Sequence, residues 1–267
     1  LPSYRASTPE TVWDHYGLTQ DQATKAGMNN QMFNSFLDGT KSALEMAAIA
    51  NATHLVPAPG GLSFPPAGAN DLAQLLRPKN VGGCLQHKGQ VEVVSSLERD
   101  GRPVVRDLRW GVYVVLEASN DYTAACFQEY GMNTDESGRY SAMYKPFHLI
   151  GLEVNISILS AVILNKPTGS SRGFVGDVVA TAKRNLKAGE VLDGEGGYTV
   201  YGKLMPSELS LQIGGLPIGL SAGVTLNKPV EANQQLSWSD IDMDQSSLTW
   251  RLRREMENIC CPPQAAE

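Results

Sequence analysis

Asp38, Lys41 and Glu45 stand at i, i+3 and i+7, a spacing that a helix turns into one stripe. An acid, a cation and a second acid on one face can polarise a carbonyl and move a proton. The competing reading is local: Asp38 as a helix N-cap, with Lys41 and Glu45 as a surface i, i+4 pair. Asn51 recurs on the same helical pattern and is assigned as a substrate contact. His148 and Glu153, in FHLIGLEV, form a second acid/base candidate. Five residues along a helix rotate by about 140°, so these two would not share a helical face. The alternative for them is a histidine satisfied at a helix start and a glutamate paired elsewhere. Tyr144 and Lys145 precede them and could bind a phosphate.

Other signals are weak or absent. His15, His54 and His87 lack ligand spacing, and the chain has no HExxH or CxxC. Cys84 and Cys126 are isolated and Cys260 and Cys261 adjacent, which suits a reducing compartment better than a disulfide framework. A net charge of −6, with basic residues scattered, argues against nucleic acid. Arg251, Arg253 and Arg254 read as a solvated helix face, answered by Glu255 and Glu257. Lys183, Arg184 and Lys187 could meet an anion but read as solvated strand and turn residues. No apolar run reaches membrane-spanning length and no signal peptide opens the chain, so a cytoplasmic location is expected.

The elements that must position these residues follow from periodicity and punctuation. Thr8-Pro9 marks a helix start and Gly17 its end. MFNSFLDGTKSALEMAAIANAT is the strongest helical stretch. The proline- and glycine-rich Val56 to Asp71 segment is a loop long enough to be functional. Gln90 to Leu97 and Gly111 to Glu117 read as strands, with a turn at Asp100-Gly101. PFHLIGLEVNISILSAVIL suits a buried helix, with a strand left open by its β-branched content. Asn165 to Gly173 is a linker. Beyond it, short strands alternate with turns, and Leu186 to Leu192 is echoed by Val230 to Leu236. Gly189 and Asn233 fill the turn where positive φ is needed, so the echo suggests a pseudo-twofold β module. A final amphipathic helix covers about residues 246–258.

VVATAKRNLKAGEVLDGEGGYTVYGKL and LPIGLSAGVTLNKPVEANQQLSWSDID resemble a SAF domain, a β-clip module. FLDGTKSALEMAAIANAT and YKPFHLIGLEVNISI resemble the catalytic domain of homoserine-dehydrogenase-like oxidoreductases that carry a C-terminal SAF domain, among them the reductoisomerase-like enzymes. The resemblance implies an α+β catalytic-type domain, an antiparallel sheet with helices, over 1–172. A small all-β SAF domain over 173–245 and a C-terminal helix and tail over 246–267 would follow. It implies NADPH-dependent reduction or rearrangement of a small phosphorylated sugar-derived carbonyl, as in isoprenoid biosynthesis, with a divalent metal as a further cofactor. It also places DGTK beside the substrate. Members begin with a Rossmann domain, yet no GxGxxG follows a strand here, so NADPH is expected on a segment or partner outside this chain. A homo-oligomer is the expected assembly. The alternative is a non-enzymatic carbohydrate- or anion-binding or oligomerisation module built on the SAF domain.

Overall fold

The computed structural model describes residues 4–260. The chain opens with α1 (Val12–Tyr16), α2 (Gln20–Lys25), α3 (Asn30–Leu37), α4 (Thr40–Thr53), β1 (Val56–Pro57) and α5 (Leu72–Leu75). It continues through β2 (Gln90–Val91), β3 (Val112–Glu117), α6 (Asp121–Glu129), β4 (Asn133–Thr134), β5 (Tyr140–Lys145) and α7 (Val154–Leu164). β6 (Gly176–Ala182), β7 (Val200–Pro206), α8 (Ser207–Gln212), β8 (Thr225–Leu226), β9 (Ile241–Asp242) and α9 (Leu248–Cys260) complete it. The architecture is mixed α and β with small antiparallel sheets. Cys261 and the expected tail lie outside the described residues.

Two compact units form: Leu1–Leu62 with Ser171–Glu267, and Ser63–Ser170. They cut across the linear division into 1–172 and 173–245, because the first helices fold with the C-terminal half. The cause is the face of α4. Thr40, Ala43, Ala47 and Ala50 form its buried stripe and pack on β6 and β7. The strands answer with glycine: a Cβ on Gly176 would sit 3.2 Å from Ala50, and one on Gly202 would sit 2.9 Å from Thr40. Small residues on both sides let helix and sheet approach closely. Ahead of α4, Val12, Trp13 and Ala23 form a small core with Leu18, Phe33 and Leu37.

β6 and β7 pair antiparallel from Gly176↔Pro206 to Ala182↔Val200. The two echoed segments meet directly: Leu186 and Val230 exchange N–H to carbonyl bonds of 2.8 and 3.1 Å. Gly189 (φ 82°) and Asn233 (φ 67°) hold the left-handed turn positions expected of them. Leu186, Leu192, Val230 and Leu236 are buried, so the echo is a packing repeat as well as a sequence one. α9 begins two residues later than expected, and Arg253 is not solvated. It reaches Asp177 at 2.6 and 3.2 Å and Glu257 at 2.7 Å, and lies over the Phe174 ring. A buried aspartate on β6 supplies a partner that charge spacing along one helix does not reveal.

The second unit carries a three-stranded sheet of order β3-β5-β4. Tyr113, Val115 and Ala142 face its core of Ala67, Ala69, Leu72, Leu76, Leu85 and Leu108. The strand expected over Gln90 to Leu97 shrinks to β2. Glu92 interrupts it by turning its carboxylate inward, where it accepts from the Ser63, Phe64 and Val93 amides at 2.9–3.3 Å and from Ser63 Oγ at 2.7 Å. The turn at Asp100-Gly101 forms as expected, with Gly101 at φ 89°. The helix expected from Pro146 begins only at Val154, and it is not buried: every residue of α7 lies at the surface. At the N-terminus Thr8 Oγ1 accepts the Glu10 and Thr11 amides at 3.2 Å, as a cap does, over a turn that precedes α1, which starts at Val12 and ends at Gly17 (φ 65°).

Candidate functional site

The turn between α3 and α4 places Asp38. Gly39 takes φ 87° there, and Asp38 Oδ1 accepts the Thr40 N–H at 2.9 Å. Asp38 Oδ2 lies 2.7 Å from Lys183 Nζ, and both side chains are fully buried. Lys183, expected on the surface, is therefore interior. Its ammonium has three protons and donates to the Ser7 carbonyl at 3.1 Å and the Gly197 carbonyl at 2.7 Å as well. Burial pushes the Asp38 carboxyl above the ordinary range. The charge of Lys183 and the hydrogen bonds from Lys183 and Thr40 offset part of that shift.

Asn34 completes this hub. It accepts from Ser7 Oγ at 2.6 Å and donates to the carbonyls of Ser7, Gly196 and Gly197. Thr40 Oγ1 accepts the Gly202 N–H at 2.8 Å. The hub ties the N-terminal strap, the α3–α4 turn and the β7 approach into one piece. Its donors and acceptors are engaged with one another, so its chemistry is positioning.

What it positions is a set of cations. Tyr201 and Lys203 alternate on β7 and share one face. The Arg5 guanidinium lies over the Tyr201 ring, 5.2 Å from its centroid. Burial raises the Tyr201 phenol, Arg5 lowers it and the Asp38 carboxylate raises it, so all three groups sense each other. Burial holds the half-buried Lys203 ammonium below the usual lysine range, and the charge of Arg5 lowers it further. Among the described residues neither Arg5 nor Lys203 has a carboxylate partner, unlike Lys183, Arg184 and Arg253. The Gly61 backbone passes close by, where a Cβ would meet the Leu204 carbonyl at 2.9 Å and the Lys203 stem at 3.5 Å. Two cations that sense each other's charge, with no carboxylate partner among the described residues and one of them partly desolvated, have the chemistry to accept an anionic group.

The sequence-expected residues divide between the units. In the first, Asp38 joins Lys183 rather than Lys41 or Glu45. It is the C-cap of α3, off the stripe, while Lys41 is half-buried and Glu45 exposed on α4. Asn51 is engaged structurally: Oδ1 accepts the Val175 and Gly176 amides at 2.7 and 3.0 Å, and Nδ2 donates to the Gly176 carbonyl at 3.1 Å. In the second unit, Lys145 at the end of β5 pairs with Glu153 and lies over the Phe147 ring. Glu153 also accepts the Leu149 N–H at 2.6 Å. The hydrogen bond from Lys145 holds its carboxyl low, with a smaller contribution from the charge of His148. Lys145, His148 and Glu153 thus come together, in a turn rather than on a helix. Tyr144 lies beside them in sequence and pairs across the sheet with Tyr113.

Arg5, Tyr201 and Lys203 escaped the sequence reading. The alternation in Tyr201-Gly202-Lys203 was the one signal that placed a phenol and an amine on a common face. Arg5 comes from nearly two hundred residues away, which no local pattern reports. Among the described residues no cluster of three or more histidine, cysteine, aspartate or glutamate side chains could hold a metal ion, and Asp38 is neutralised by Lys183. The donor set among the described residues does not fit a metal.

Residues 1–154 match the family model described as the catalytic domain of oxidoreductase DRL. No curated protein matches the chain.

Proposed function

The chain belongs to the oxidoreductase DRL catalytic-domain family, matched over residues 1–154 of 267, and on that premise we propose that it forms the substrate side of a nicotinamide-dependent reductase or reductoisomerase acting on a small phosphorylated carbonyl. The observation that carries the substrate class is the unpaired Arg5–Lys203 couple on Tyr201. Arg5 and Lys203 bind the phosphate and Tyr201 fixes the guanidinium plane. The Asp38–Lys183–Asn34 hub holds both walls of the site in place. When bound, NADPH supplies hydride, held by a nucleotide-binding domain outside these residues. The homoserine-dehydrogenase-like and reductoisomerase-like assignments rest on the FLDGTK and FHLIGLEV phrases. The SAF assignment of the β module rests on the paired Leu186–Leu192 and Val230–Leu236 segments.

The test is calorimetric titration of inorganic phosphate and of a triose phosphate into the chain. Arg5→Gln and Lys203→Met should each weaken binding about tenfold or more, the scale of one charge-assisted hydrogen bond. Affinity should fall as pH rises through the depressed Lys203 value. The absence of binding, or binding indifferent to both substitutions, sinks the phosphate assignment. Saturable micromolar NADPH binding to this chain alone sinks the placement of the cofactor elsewhere.

A further inference from the structure

Most lysines of the chain are either paired or open to water. Lys88, Lys145 and Lys228 each hold a carboxylate, and Lys183 is buried against Asp38. Lys25, Lys79, Lys166 and Lys187 are exposed. Lys41 on α4 and Lys203 on β7 are half-buried with no carboxylate partner among the described residues.

Lys203 is held along its stem. It pairs across the sheet with Val179, which is fully buried, and shares a face with Tyr201. The Gly61 backbone lies along the methylenes, where a Cβ would come 3.5 Å from Lys203 Cγ and 3.6 Å from Cε. The stem is therefore packed, and the amine is the end left to emerge. The titratable groups on the same face are Tyr201, with Arg5 over its ring, and Asp177, which is engaged by Arg253. Lys183, next along the alternation, is neutralised by Asp38. Desolvation and the charge of Arg5 both disfavour an ammonium at Lys203 and hold it below the usual lysine range. A lysine that is partly desolvated and near a second cation keeps free amine available, and a free amine attacks carbonyl carbon.

We propose that Lys203 is an imine-forming lysine, a covalent capture site for small aldehydes and ketones. The nitrogen lone pair forms a bond to the carbonyl carbon. The carbonyl π pair moves to oxygen, which takes up one proton from nitrogen and gives a carbinolamine. The carbon–oxygen bond then breaks, and the hydroxyl leaves as water with the second nitrogen proton, so that a carbon–nitrogen double bond remains. No oxidant or reductant is consumed. The inference goes beyond the reductase reading, because the step involves neither phosphate nor nicotinamide. The ammonium form of Lys203 meets an anion and the amine form a carbonyl, so the two roles belong to different protonation states of one residue.

The test treats the full chain near neutral pH with propanal, a carbonyl without phosphate, and cyanoborohydride, which reduces an imine to a stable secondary amine. Peptide mass spectrometry reads propylation at each lysine. Lys203 should be modified about tenfold faster than Lys41, and its rate should level off at lower pH. Lys183, fully buried, should stay unmodified and reports that the chain remains folded. Arg5→Gln should bring the Lys203 rate down toward that of Lys41, a change of reactivity that a merely structural arginine would not produce. Lys203 modified no faster than Lys41 in the parent chain overturns the proposal. So does a Lys203 rate indifferent to Arg5→Gln while Lys183 stays protected. Preferential labelling of Lys203 in a chain that binds no phosphate supports the imine and sinks the phosphate reading alone.

Discussion

β6 and β7 run antiparallel over seven residue pairs with both faces covered, whereas β3 and β5, antiparallel over six, cover one face and leave the other open. The covered pair is lined by Gly176, Ala180, Gly202 and Thr181, small residues that admit α4 on one side and the β module on the other. The open pair presents Val112, Val114 and Leu116, whose branched side chains project and call for a further layer. Backbone pairing alone therefore does not decide whether a small sheet is finished. The difference lies in what the outward residues admit, and in whether the same chain supplies the layer they need.

The largest effect is expected at the ion pair that locks the covered region. Lys183→Met leaves the Asp38 carboxylate buried without its cation and strips donors from the Ser7 and Gly197 carbonyls. Removing one partner of a buried pair costs about 3–5 kcal/mol. In the other unit Lys88→Met removes an exposed partner of Glu117, where solvent screening leaves the ion pair worth little. Urea unfolding of the two variants measures the contrast. Equal midpoints would mean that the Asp38–Lys183 pair is not desolvated, and the hub would lose its positioning role. Adding Asp38→Leu to Lys183→Met should recover part of the loss, since it removes the orphaned charge.

A smaller effect probes the faces themselves. A Cβ on Gly202 would lie 2.6 Å from Val178 and 2.9 Å from Thr40, so Gly202→Ala must push α4 away from β7. Overpacking of this kind costs about 1–3 kcal/mol. Val114→Ala on the open face should change the stability of a monomer by less than about 0.5 kcal/mol. Thermal melts at low protein concentration distinguish the two.

Much of the fold was legible where one local rule sufficed. Gly17, Gly101, Gly189 and Asn233 hold the turns their types require, and the echoed segments meet as a repeat should. Local rules failed where a distant partner decides the outcome. Lys183 and Arg253 read as surface cations until Asp38 and Asp177 are placed beside them. Glu92 sits in an apolar run that promises a strand, yet it collects amides from Ser63 and Phe64 and ends the strand after two residues. α7 reads as core by composition, and nothing in its sequence says that the described residues leave it uncovered. In the candidate site, Asp38 was found for its type and assigned the wrong neighbours, because its partner stands 145 residues away on the segment after β6.

The smallest effect separates two buried aspartates of opposite sign. Asp135, in the second unit, accepts the Tyr140 N–H at 2.9 Å, Ser137 Oγ at 2.7 Å and Arg77 Nη1 at 2.7 Å. Burial alone would raise its carboxyl, but these bonds together hold it below the ordinary value. Its native state binds the proton less tightly than the unfolded chain does. Its contribution to stability is therefore present above the unfolded value, near 3.9, and is lost as pH falls through the lower folded one. Asp38 accepts fewer bonds and is shifted upward by burial, so its contribution runs the other way. It is present below the unfolded value and fades as pH rises through the folded one. Melting temperatures of Asp135→Asn and Asp38→Asn between pH 3 and 7 should diverge from the parent in opposite directions along the pH axis. The parent's excess over Asp135→Asn should shrink toward acid. Its excess over Asp38→Asn should shrink above the unfolded value. Parallel curves would mean that the two carboxylates share one environment, and that the Asp38 hub is wetter than its burial implies.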